Sequence, residues 1–552
     1  MKERLMILGA GVMQGPAIRI AKELGLFTVA LDGSAEAPCV SMADRFERID
    51  LKDREGVTAF GRSLQNSGGL AGIMTAGTDF SATVAWAAER LGLPGIPHEA
   101  ALNASDKSRM RSCFKKAGLP SPEFVILDGA SRPPYRSLPG AFPLVVKPVD
   151  SMGGRGCRRV DSPGELGQAA EEALGFSRSR RVIVETFMEG PEFSVDAILY
   201  HGEITICGLA DRHIFFPPYF IEMGHTMPAI LEAEKQEAIL ETFRAGIRAL
   251  GLAGKDSAGA AKGDIKLGPS GPMIGEIAAR LSGGYMSGWT YPYASGTEPV
   301  RAAILAAIGR KPEGLRPLRS WTSAERAFIS IPGTVRSIHG LEAARGQNHV
   351  KDLFLRIGEG SRVSFPVNNV TKCGNVISAA PDRAAAAEAA EKACRSILIR
   401  LETGSGETGA FLAAGAVRGP AAGGNPESRP DAEGQAFPPA AFQAGPDIEA
   451  ALLRLPEPGA SGARETPDGV KLVSFPEFTS SELRDYAGRT AGESLEAVRL
   501  LTGLSLPEVP PDGAASSGDT CVLLGRSFWA AFVRGGYQGA VYFIDSLLGK
   551  RG

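Results

Sequence analysis

The first hundred residues alternate between short apolar runs and amphipathic stretches. Leu5 to Leu8 and Thr28 to Leu31 are compact apolar runs, which are typical of buried strands. A strand–helix–strand alternation of this kind predicts a parallel, doubly wound α/β sheet. The predicted elements are strands at 5–8, 28–31, near Ile49 and at 72–74, and helices at 16–24, 54–64 and 81–91.

The turn after the first strand, GAGVMQG from Gly9 to Gly15, is a candidate nucleotide loop. Its GxGxxxG spacing is one residue longer than the dinucleotide fingerprint, although Asp32 lies about where a ribose-binding acid is expected. An NAD site here is therefore one interpretation. A turn that closes on a substrate or packs its helix is the favoured one.

The pattern changes at Asp106, where a helix rich in basic residues begins. A strong apolar strand follows at 143–148, with Lys147 near its end, and SMGGRG comes soon after it. Glycines at 153, 154 and 156 let backbone N–H groups approach phosphate oxygens without a Cβ in the way. The segment resembles a phosphate clamp in outline, and a surface lysine beside a glycine turn is the alternative.

Two later segments carry acidic residues in positions that suit a nucleotide. ETFMEGPEFSVD combines a buried strand with residue types that a purine base and a ribose need, and a hairpin with solvated glutamates is the alternative. AKGDIKL and MIGEIAAR are two strands joined by a tight turn, which places Asp264 beside Glu276 if their alternation matches. Paired carboxylates suit Mg²⁺, and Arg280 can reach the same phosphates; two surface acids are the alternative.

Composition limits the classes of function. With 60 basic and 62 acidic residues the formal charge is −2, which argues against nucleic acid and anionic membranes as partners. The seven cysteines show no zinc spacing, no run reaches the ~18 apolar residues of a membrane helix, and the N-terminus reads as a strand, not a signal. We expect a cytoplasmic, multidomain protein.

The order of these motifs resembles the ATP-grasp superfamily over roughly residues 1–402. The resemblance implies a pre-ATP-grasp doubly wound parallel sheet, then a two-lobed α+β ATP-grasp fold and a closing lobe. The expected divisions are a pre-ATP-grasp domain at 1–105, an ATP-grasp domain at 106–319, a closing lobe at 320–402, a flexible Gly/Ala/Pro linker at 403–445, and a C-terminal region of unassigned role at 446–552.

The resemblance also implies roles for individual residues. Two positions depart from the family pattern: Asp264 stands where Glu is usual, and Ala278 where Asn is frequent. The implied roles are phosphate contacts for Lys107 and Lys147, a phosphate lid formed by Ser151, Gly153, Gly154 and Gly156, an adenine slot lined by Glu185, Phe187 and Met188, ribose binding by Glu192, magnesium binding by Asp264 and Glu276, and catalysis by Arg280 with Lys147.

The implied reaction joins a small carboxylate to an amine through an acyl phosphate, with ATP and Mg²⁺ as cofactors; Mn²⁺ could replace Mg²⁺, and a homodimer stays open. The segment around FFPPYFIEMGHTM resembles the substrate side of amino-acid-ligase-like members, which suggests Arg212, Tyr219 and His225 as substrate residues, although His225 could equally be structural. Alternatives are a bicarbonate-using carboxylase or carbamoyl-phosphate-like enzyme, a formyl-phosphate-using purine enzyme, and a catalytically silent ATP-binding protein.

Overall fold

The chain forms two compact units. The computed structural model describes residues 2–129, 138–414, 437–456, 469–512 and 521–549. The first unit comprises Met1–Glu325 and Ile377–Ala387, and the second comprises Arg326–Val376 and Glu388–Gly552. Among the described residues, none of the helices combines the length and the apolar character needed to cross a bilayer.

The first unit opens with the predicted parallel sheet. Its strands are ordered β3-β2-β1-β4, all parallel. Leu5 and Ile7 pack into the core on one side of the sheet and Met6 and Leu8 into the core on the other, which explains why the run is continuously apolar. The elements are β1 (Arg4–Leu8), α1 (Gly15–Glu23), β2 (Phe27–Asp32), β3 (Arg45–Arg48), α2 (Arg54–Asn66), β4 (Gly72–Met74) and α3 (Ser81–Leu91).

A small antiparallel sheet follows, in the order β5-β8-β6-β7. The basic helix before it begins at Asp106, whose carboxylate accepts hydrogen bonds from the backbone N–H groups of Ser108 and Arg109 at 2.8 and 3.1 Å. The elements are α4 (His98–Ser105), α5 (Lys107–Lys116), β5 (Phe124–Asp128), β6 (Leu144–Pro148), β7 (Arg158–Val160), α6 (Leu166–Phe176) and β8 (Arg181–Thr186).

In a larger sheet, five antiparallel strands follow one another in the order β13-β12-β9-β10-β11. Phe243 on helix α7 packs against Gly263, where a Cβ would lie only 2.5 Å from the ring, so this helix covers one face closely. The opposite face packs on α9 at Ile198 and Ala260 and also carries polar side chains. The elements are β9 (Glu192–Tyr200), β10 (Glu203–Phe215), β11 (Ile221–Met227), α7 (Ala233–Ala249), β12 (Ala258–Gly268), β13 (Gly271–Ala278), α8 (Tyr291–Ser295) and α9 (Pro299–Ala307).

The second unit contains two three-stranded sheets, β17-β15-β19 and the parallel β21-β20-β22. The division between the units falls within β14, β18 and α11. The elements are β14 (Thr322–Phe328), β15 (Gly333–His339), α10 (Leu341–Arg345), β16 (Val350–Leu355), β17 (Arg362–Val363), β18 (Gly374–Ala380), α11 (Arg383–Ser396), β19 (Leu398–Leu401), α12 (Gly406–Ala413), α13 (Pro446–Arg454), β20 (Gly469–Val473), α14 (Pro476–Thr479), α15 (Ala491–Thr502), β21 (Glu508–Val509), β22 (Cys521–Leu524) and α16 (Arg526–Leu548).

The segment expected to be a flexible linker, 403–445, is partly built into the second unit. Helix α12 lies within it, and Phe411 and Phe442 are buried. Arg534 donates hydrogen bonds to the carbonyl oxygens of Phe411 and Pro438, at 3.0 and 2.8 Å. The segment is rich in Gly, Ala and Pro, so its composition does not indicate that these two phenylalanines are buried. Residues 415–436 lie outside the described residues.

The C-terminal region packs on the residues of the expected closing lobe that belong to the same unit. The guanidinium of Arg489 donates to the carbonyl oxygens of Arg395 and Ile397, at 2.6 and 3.2 Å. The Tyr537 hydroxyl accepts the backbone N–H of Ile399 at 2.8 Å. Because these buried contacts satisfy main-chain groups of the lobe, the region is part of its core and not a separate appendage.

The aromatic cluster around Trp529 gives a test of this packing. Trp529 is buried, donates its indole N–H to the carbonyl oxygen of Val473 at 2.7 Å, and contacts Phe475, Phe478 and Phe532. We expect Trp529→Ala to lower the free energy of unfolding of the second unit by about 3–5 kcal/mol, measured by urea unfolding followed by circular dichroism. Leu500→Ala, at an exposed position on α15, is the control; equal effects of the two changes would contradict the packing.

Candidate active site

The face of the larger sheet opposite α7 carries a row of charged side chains beside the part that packs on α9. On β12, Lys262, Asp264 and Lys266 alternate with the buried Gly263 and Ile265, so the three polar side chains share the face opposite α7. Asp264 lies opposite Glu276 on β13 and opposite Ser194 on β9. The strand register therefore places the two acids next to each other, as the strand alternation predicts.

Cations surround both acids. The Glu276 carboxylate lies 3.7 Å from the Lys107 ammonium, and about 35% of the Glu276 side chain is exposed. Burial acts to raise the pKa of Glu276, but Lys107, Lys262, Lys147 and Arg280 outweigh it and lower the pKa to about 2. Glu276 is thus held as a carboxylate.

Asp264 is held by side chains of its own sheet. It forms ion pairs with Lys262 and with Arg212, the latter at 3.0 Å, and accepts a hydrogen bond from the Ser194 hydroxyl at 3.3 Å. Its shorter side chain therefore faces protein cations on its own sheet. Any other cation that binds Asp264 has to share it with these groups.

These two carboxylates fit a hydrated magnesium ion. Within the described residues, no group of three or more His, Cys, Asp and Glu side chains converges. Mg²⁺ normally keeps several water ligands and uses one or two carboxylates together with substrate phosphates. The oxygen donors of Glu276 and Asp264, side by side at the sheet face, match that requirement.

Lys107 and Lys147 both reach the same region from the small sheet and its preceding helix. The Lys107 ammonium donates to the carbonyl oxygen of Ser151 at 2.8 Å, which ties helix α5 to the start of the glycine loop. Lys147 lies 2.6 Å from Glu185, and only 12% of its side chain is exposed. Both ammonium groups therefore stand beside the predicted phosphate loop in fixed positions.

Glu185 has a different environment from the one that the resemblance implied. Its carboxylate is fully buried and meets Arg111 at 2.8 Å as well as Lys147, so its oxygens are directed to these cations and not to an adenine slot. Burial acts to raise the pKa of Glu185, yet Arg111 and Lys147 lower it below its ordinary value. Glu185 therefore fixes Lys147.

Arg111 is a residue that the sequence reasoning missed. It is completely buried, and its guanidinium also donates to the carbonyl oxygen of Gly275 at 2.6 Å, next to Glu276. A signal was present, because Arg111 follows Lys107 by four residues on a helix and must share its face. The partner Glu185 is 74 residues away, which local spacing does not reveal.

The glycine loop between β6 and β7 has the backbone that its sequence predicts. Gly153, Gly154 and Gly156 have φ angles of 68°, 75° and 67°, a region that favours glycine strongly. A Cβ on Gly156 would also lie 3.1 Å from the Cα of Ala173 on α6. With Ser151 at its start, this loop can present N–H groups to an anion.

Phe187 and Met188 follow β8 and lie at the edge of the charged face. The Lys266 ammonium lies 4.9 Å from the centre of the Phe187 ring and donates to the carbonyl oxygen of Met188 at 3.0 Å. The Phe220 ring stacks 6.3 Å from that of Phe187. The nearby Glu192 forms an ion pair with Arg212. An aromatic surface and a polar edge thus lie together, as a purine and its ribose require.

Arg212 and His225 belong to one buried chain of charges. Arg212 forms an ion pair with Glu222, which lies 3.5 Å from His225, and His225 lies 3.2 Å from Glu325. Burial acts to lower the pKa of His225, but Glu222 and Glu325 outweigh it and raise the pKa to about 9. His225 is therefore a charged, bonded residue near neutral pH.

Tyr219 lies at the tip of the β10–β11 hairpin, where it forms a β-bridge to Arg158 beside the glycine loop. Its hydroxyl donates to Glu172 at 3.1 Å. The hairpin thus reaches the edge strand β7, and a substrate role for Tyr219 stays a prediction.

Arg280 is placed by contact between two loops of the first unit. Leu281 forms a parallel β-bridge with Ala76, which follows β4 in the first sheet. The Arg280 guanidinium donates to the carbonyl oxygen of Leu281 at 3.1 Å and is one of the cations that lower the pKa of Glu276. Arg280 therefore lies on the same charged face as the paired acids.

The Gly9 turn is filled by its own side chains. Gln14 accepts the N–H of Gly11 at 2.9 Å and donates to the carbonyl oxygen of Ala76, and Asp32 accepts the N–H of Ala10 at 2.9 Å. The Asp32 carboxylate and the interior of the turn thus serve the turn itself. This arrangement favours a packing role over a dinucleotide site.

Three family models match the chain in an order that agrees with these elements. They are an ATP-grasp N-terminal domain at residues 18–95, an ATP-grasp domain at 140–285, and L-amino acid ligase C-terminal domain 2 at 327–402. Over these ranges the chain carries domains of the ATP-grasp superfamily. The predicted fold class and the predicted relationship to ATP-dependent carboxylate–amine ligases of that superfamily are confirmed.

Individual relatives are similar over parts of the chain. Carnosine synthase 1 from Gallus gallus is 25% identical over 56% of this chain and 36% of its own length. A formate-dependent phosphoribosylglycinamide formyltransferase from Prochlorococcus marinus is 31% identical over 33% of this chain and 47% of its own length. The chain thus spans less than half of these two proteins.

Among solved structures, L-amino acid ligase from Bacillus licheniformis superimposes with a TM-score of 0.63 at 22% identity. The match covers 73% of this chain and 99% of the ligase. At this level of identity the likeness establishes the fold.

The buried ion pair of Arg111 and Glu185 can be tested through stability. Arg111→Met would leave the buried Glu185 with Lys147 alone of its two cationic partners. We therefore expect a loss of about 3–5 kcal/mol in the free energy of unfolding. Arg109→Met on the same helix is the control, because its pair with Glu99 is exposed and contributes about 1 kcal/mol or less. Urea unfolding compares the two; equal losses would contradict the assignment.

The charged state of His225 predicts a pH dependence. Its pKa is raised from 6.5 to about 9, so its stabilising contribution is complete below pH 6.5 and is lost as the pH rises through 9. The difference in unfolding free energy between the unaltered protein and His225→Gln should shrink by about 3 kcal/mol between pH 6 and pH 10. A difference that stays constant between pH 6 and pH 10 would show that His225 is neutral.

Proposed function

We propose that this protein is an ATP-dependent ligase that activates a small carboxylate as an acyl phosphate and joins it to an amine. The observation that supports this most is the placement of Asp264 and Glu276 side by side on one sheet face, with Lys107, Lys147 and Arg280 around them. The two acids suit a metal ion and the cations suit phosphate oxygens. Each charge of a metal–triphosphate would therefore meet a protein group of opposite sign.

The residues would divide the work between holding and activating the nucleotide. Lys107, Lys147 and the N–H groups of the glycine loop would bind the phosphates, and Glu185 would hold Lys147 in position. Phe187 and Met188 would contact the base, and Glu192 would reach the ribose if its pair with Arg212 opens. Glu276 and Asp264 would hold a magnesium ion, whose positive charge would offset the negative charge of the phosphates.

The chemistry needs no covalent intermediate with the protein. The substrate carboxylate attacks the γ-phosphorus, which forms an acyl phosphate and ADP. The amine nitrogen then attacks the acyl carbon, and inorganic phosphate leaves as the amide forms and a proton is lost. Arg280 would stabilise the negative charge that develops on the transferring phosphoryl oxygens, and fixed positions of the two reactants would supply much of the acceleration.

The geometry supports different roles for the three substrate residues that the sequence suggests. Arg212 and His225 lie in one charged chain that also reaches Asp264, so they would orient the substrate side or the metal side of the site. Tyr219 would act at the phosphate loop instead. A homodimer, replacement of Mg²⁺ by Mn²⁺ and a cytoplasmic location stay predictions.

The proposal is tested by magnesium-dependent release of phosphate from ATP. The purified protein is supplied with pairs from a panel of amino acids, other small carboxylates, bicarbonate, formate and amines. Release that requires one carboxylate and one amine supports the ligase. Release with bicarbonate or formate alone would favour the carboxylase-like or formyl-phosphate-using alternatives, and nucleotide binding without release across the panel would favour a silent ATP-binding protein.

Two substitutions test the assigned residues. We expect Lys147→Ala and Glu276→Ala each to abolish phosphate release, because phosphate binding and metal binding respectively are lost, while circular dichroism stays that of the unaltered protein. Lys116→Ala, an exposed lysine at the end of α5, is the matched control. Undiminished turnover in either site variant would overturn the assignment of that residue.

A further inference from the structure

Asp79 is an acidic residue in the loop after β4 of the first sheet. A contact between this loop and the loop after β13 places it beside the proposed site. The loop after β4 meets the loop after β13, because Ala76 pairs with Leu281 and the N–H of Gly77 donates to the carbonyl oxygen of Leu281 at 3.3 Å. A Cβ on Gly77 would lie 3.3 Å from the Cα of Gly283, so the two backbones touch. This contact fixes Asp79, two residues further along.

Asp79 forms an ion pair with Arg178, which in turn holds the residue that precedes the glycine loop. The Arg178 guanidinium lies 3.1 Å from the Asp79 carboxylate. The same guanidinium donates twice to the carbonyl oxygen of Asp150, from Nη2 at 2.7 Å and from Nε at 3.2 Å. Asp150 is followed directly by Ser151, the first residue of the glycine loop.

The Asp150 side chain is fixed from the same short segment. Its carboxylate accepts the N–H of Arg178 at 3.1 Å, the N–H of Ser179 at 2.7 Å and the hydroxyl of Ser177 at 3.0 Å. Residues 177–179 and Asp150 therefore form one bonded group at the base of the glycine loop. Asp79 joins that group to the first domain.

Asp79 also lies among the cations of the proposed site. Burial raises the pKa of Asp79 above its ordinary value, against the charges of Arg280, Lys107 and Arg178, which act to lower it. About a quarter of its side chain is exposed, so it is screened from water more than a surface acid is. The Asp79 carboxylate thus lies among the cations around the loop.

We propose that Asp79 is a positioning residue that, through Arg178, anchors the base of the glycine loop to the first domain and so sets how well the loop closes on nucleotide phosphates. This inference rests on the proposed nucleotide site. A loop with a fixed base loses less conformational freedom when it closes on an anion, so the anchor should strengthen binding of the phosphates and not of the base.

The test compares nucleotides with and without phosphates. Binding of magnesium AMP-PNP and of adenosine is measured by calorimetry for the unaltered protein, Asp79→Asn, Arg178→Met and the double variant. We expect each single change to weaken AMP-PNP binding by about two- to fivefold, as for a partly exposed ion pair, and to leave adenosine binding unchanged. The double variant should bind no more weakly than the weaker single variant, because both changes break one linkage.

Two further variants separate anchoring from general damage. Asp79→Glu keeps the charge and should retain most of the AMP-PNP affinity. Asp44→Asn is the matched control, since Asp44 forms an ion pair with Lys22 and accepts hydrogen bonds from Thr28 within the first sheet and its helix. It should bind both ligands as the unaltered protein does.

Three results would overturn the inference. Losses that multiply in the double variant would show that Asp79 and Arg178 act independently. A parallel loss of adenosine binding would show that the change disturbs the fold and not the loop. If the unaltered protein binds AMP-PNP no more tightly than adenosine, the proposed phosphate site is wrong, and this inference is wrong with it.

Discussion

The structure of the candidate site depends on one electrostatic constraint: two carboxylates on adjacent strands must be offset by cations. The register of β12 and β13 brings Asp264 and Glu276 together, and each is stable there because lysines and arginines surround it. The cations around Glu276 come from helix α5, strand β6, the loop after β13 and strand β12, whereas those that bind Asp264 come from its own sheet. The constraint therefore dictates how three parts of the first unit must meet.

The supporting residues are buried more deeply than the residues they support. Arg111 and Glu185 are almost completely buried, whereas Glu276 is about one-third exposed. A buried ion pair fixes Lys147 beside the glycine loop, and the loop contact between Ala76 and Leu281 fixes Arg280. Rigid support behind a partly open charged face is the arrangement that a phosphate-transfer site needs, because positioning and electrostatics carry most of that chemistry.

Much of this could be predicted from local pattern. Apolar runs and glycine turns located the strands of the first sheet, and strand alternation placed Asp264 beside Glu276. Contacts distant in sequence could not be predicted: Arg111 and Glu185 are 74 residues apart, and Tyr219 is carried to β7 by a hairpin whose length does not reveal its direction. Likewise, the role of Phe411 and Phe442 in the second core is hidden by a segment rich in glycine and alanine.

The central claim, that the paired carboxylates hold a metal–nucleotide, is tested most directly by metal binding without turnover. Binding of Mn²⁺ in the presence of ADP can be followed by electron paramagnetic resonance for the unaltered protein and for Glu276→Gln, which keeps the shape of the side chain but removes its charge. The account predicts that Glu276→Gln weakens Mn²⁺ binding by about tenfold or more. Equal Mn²⁺ affinity in the two proteins would contradict it.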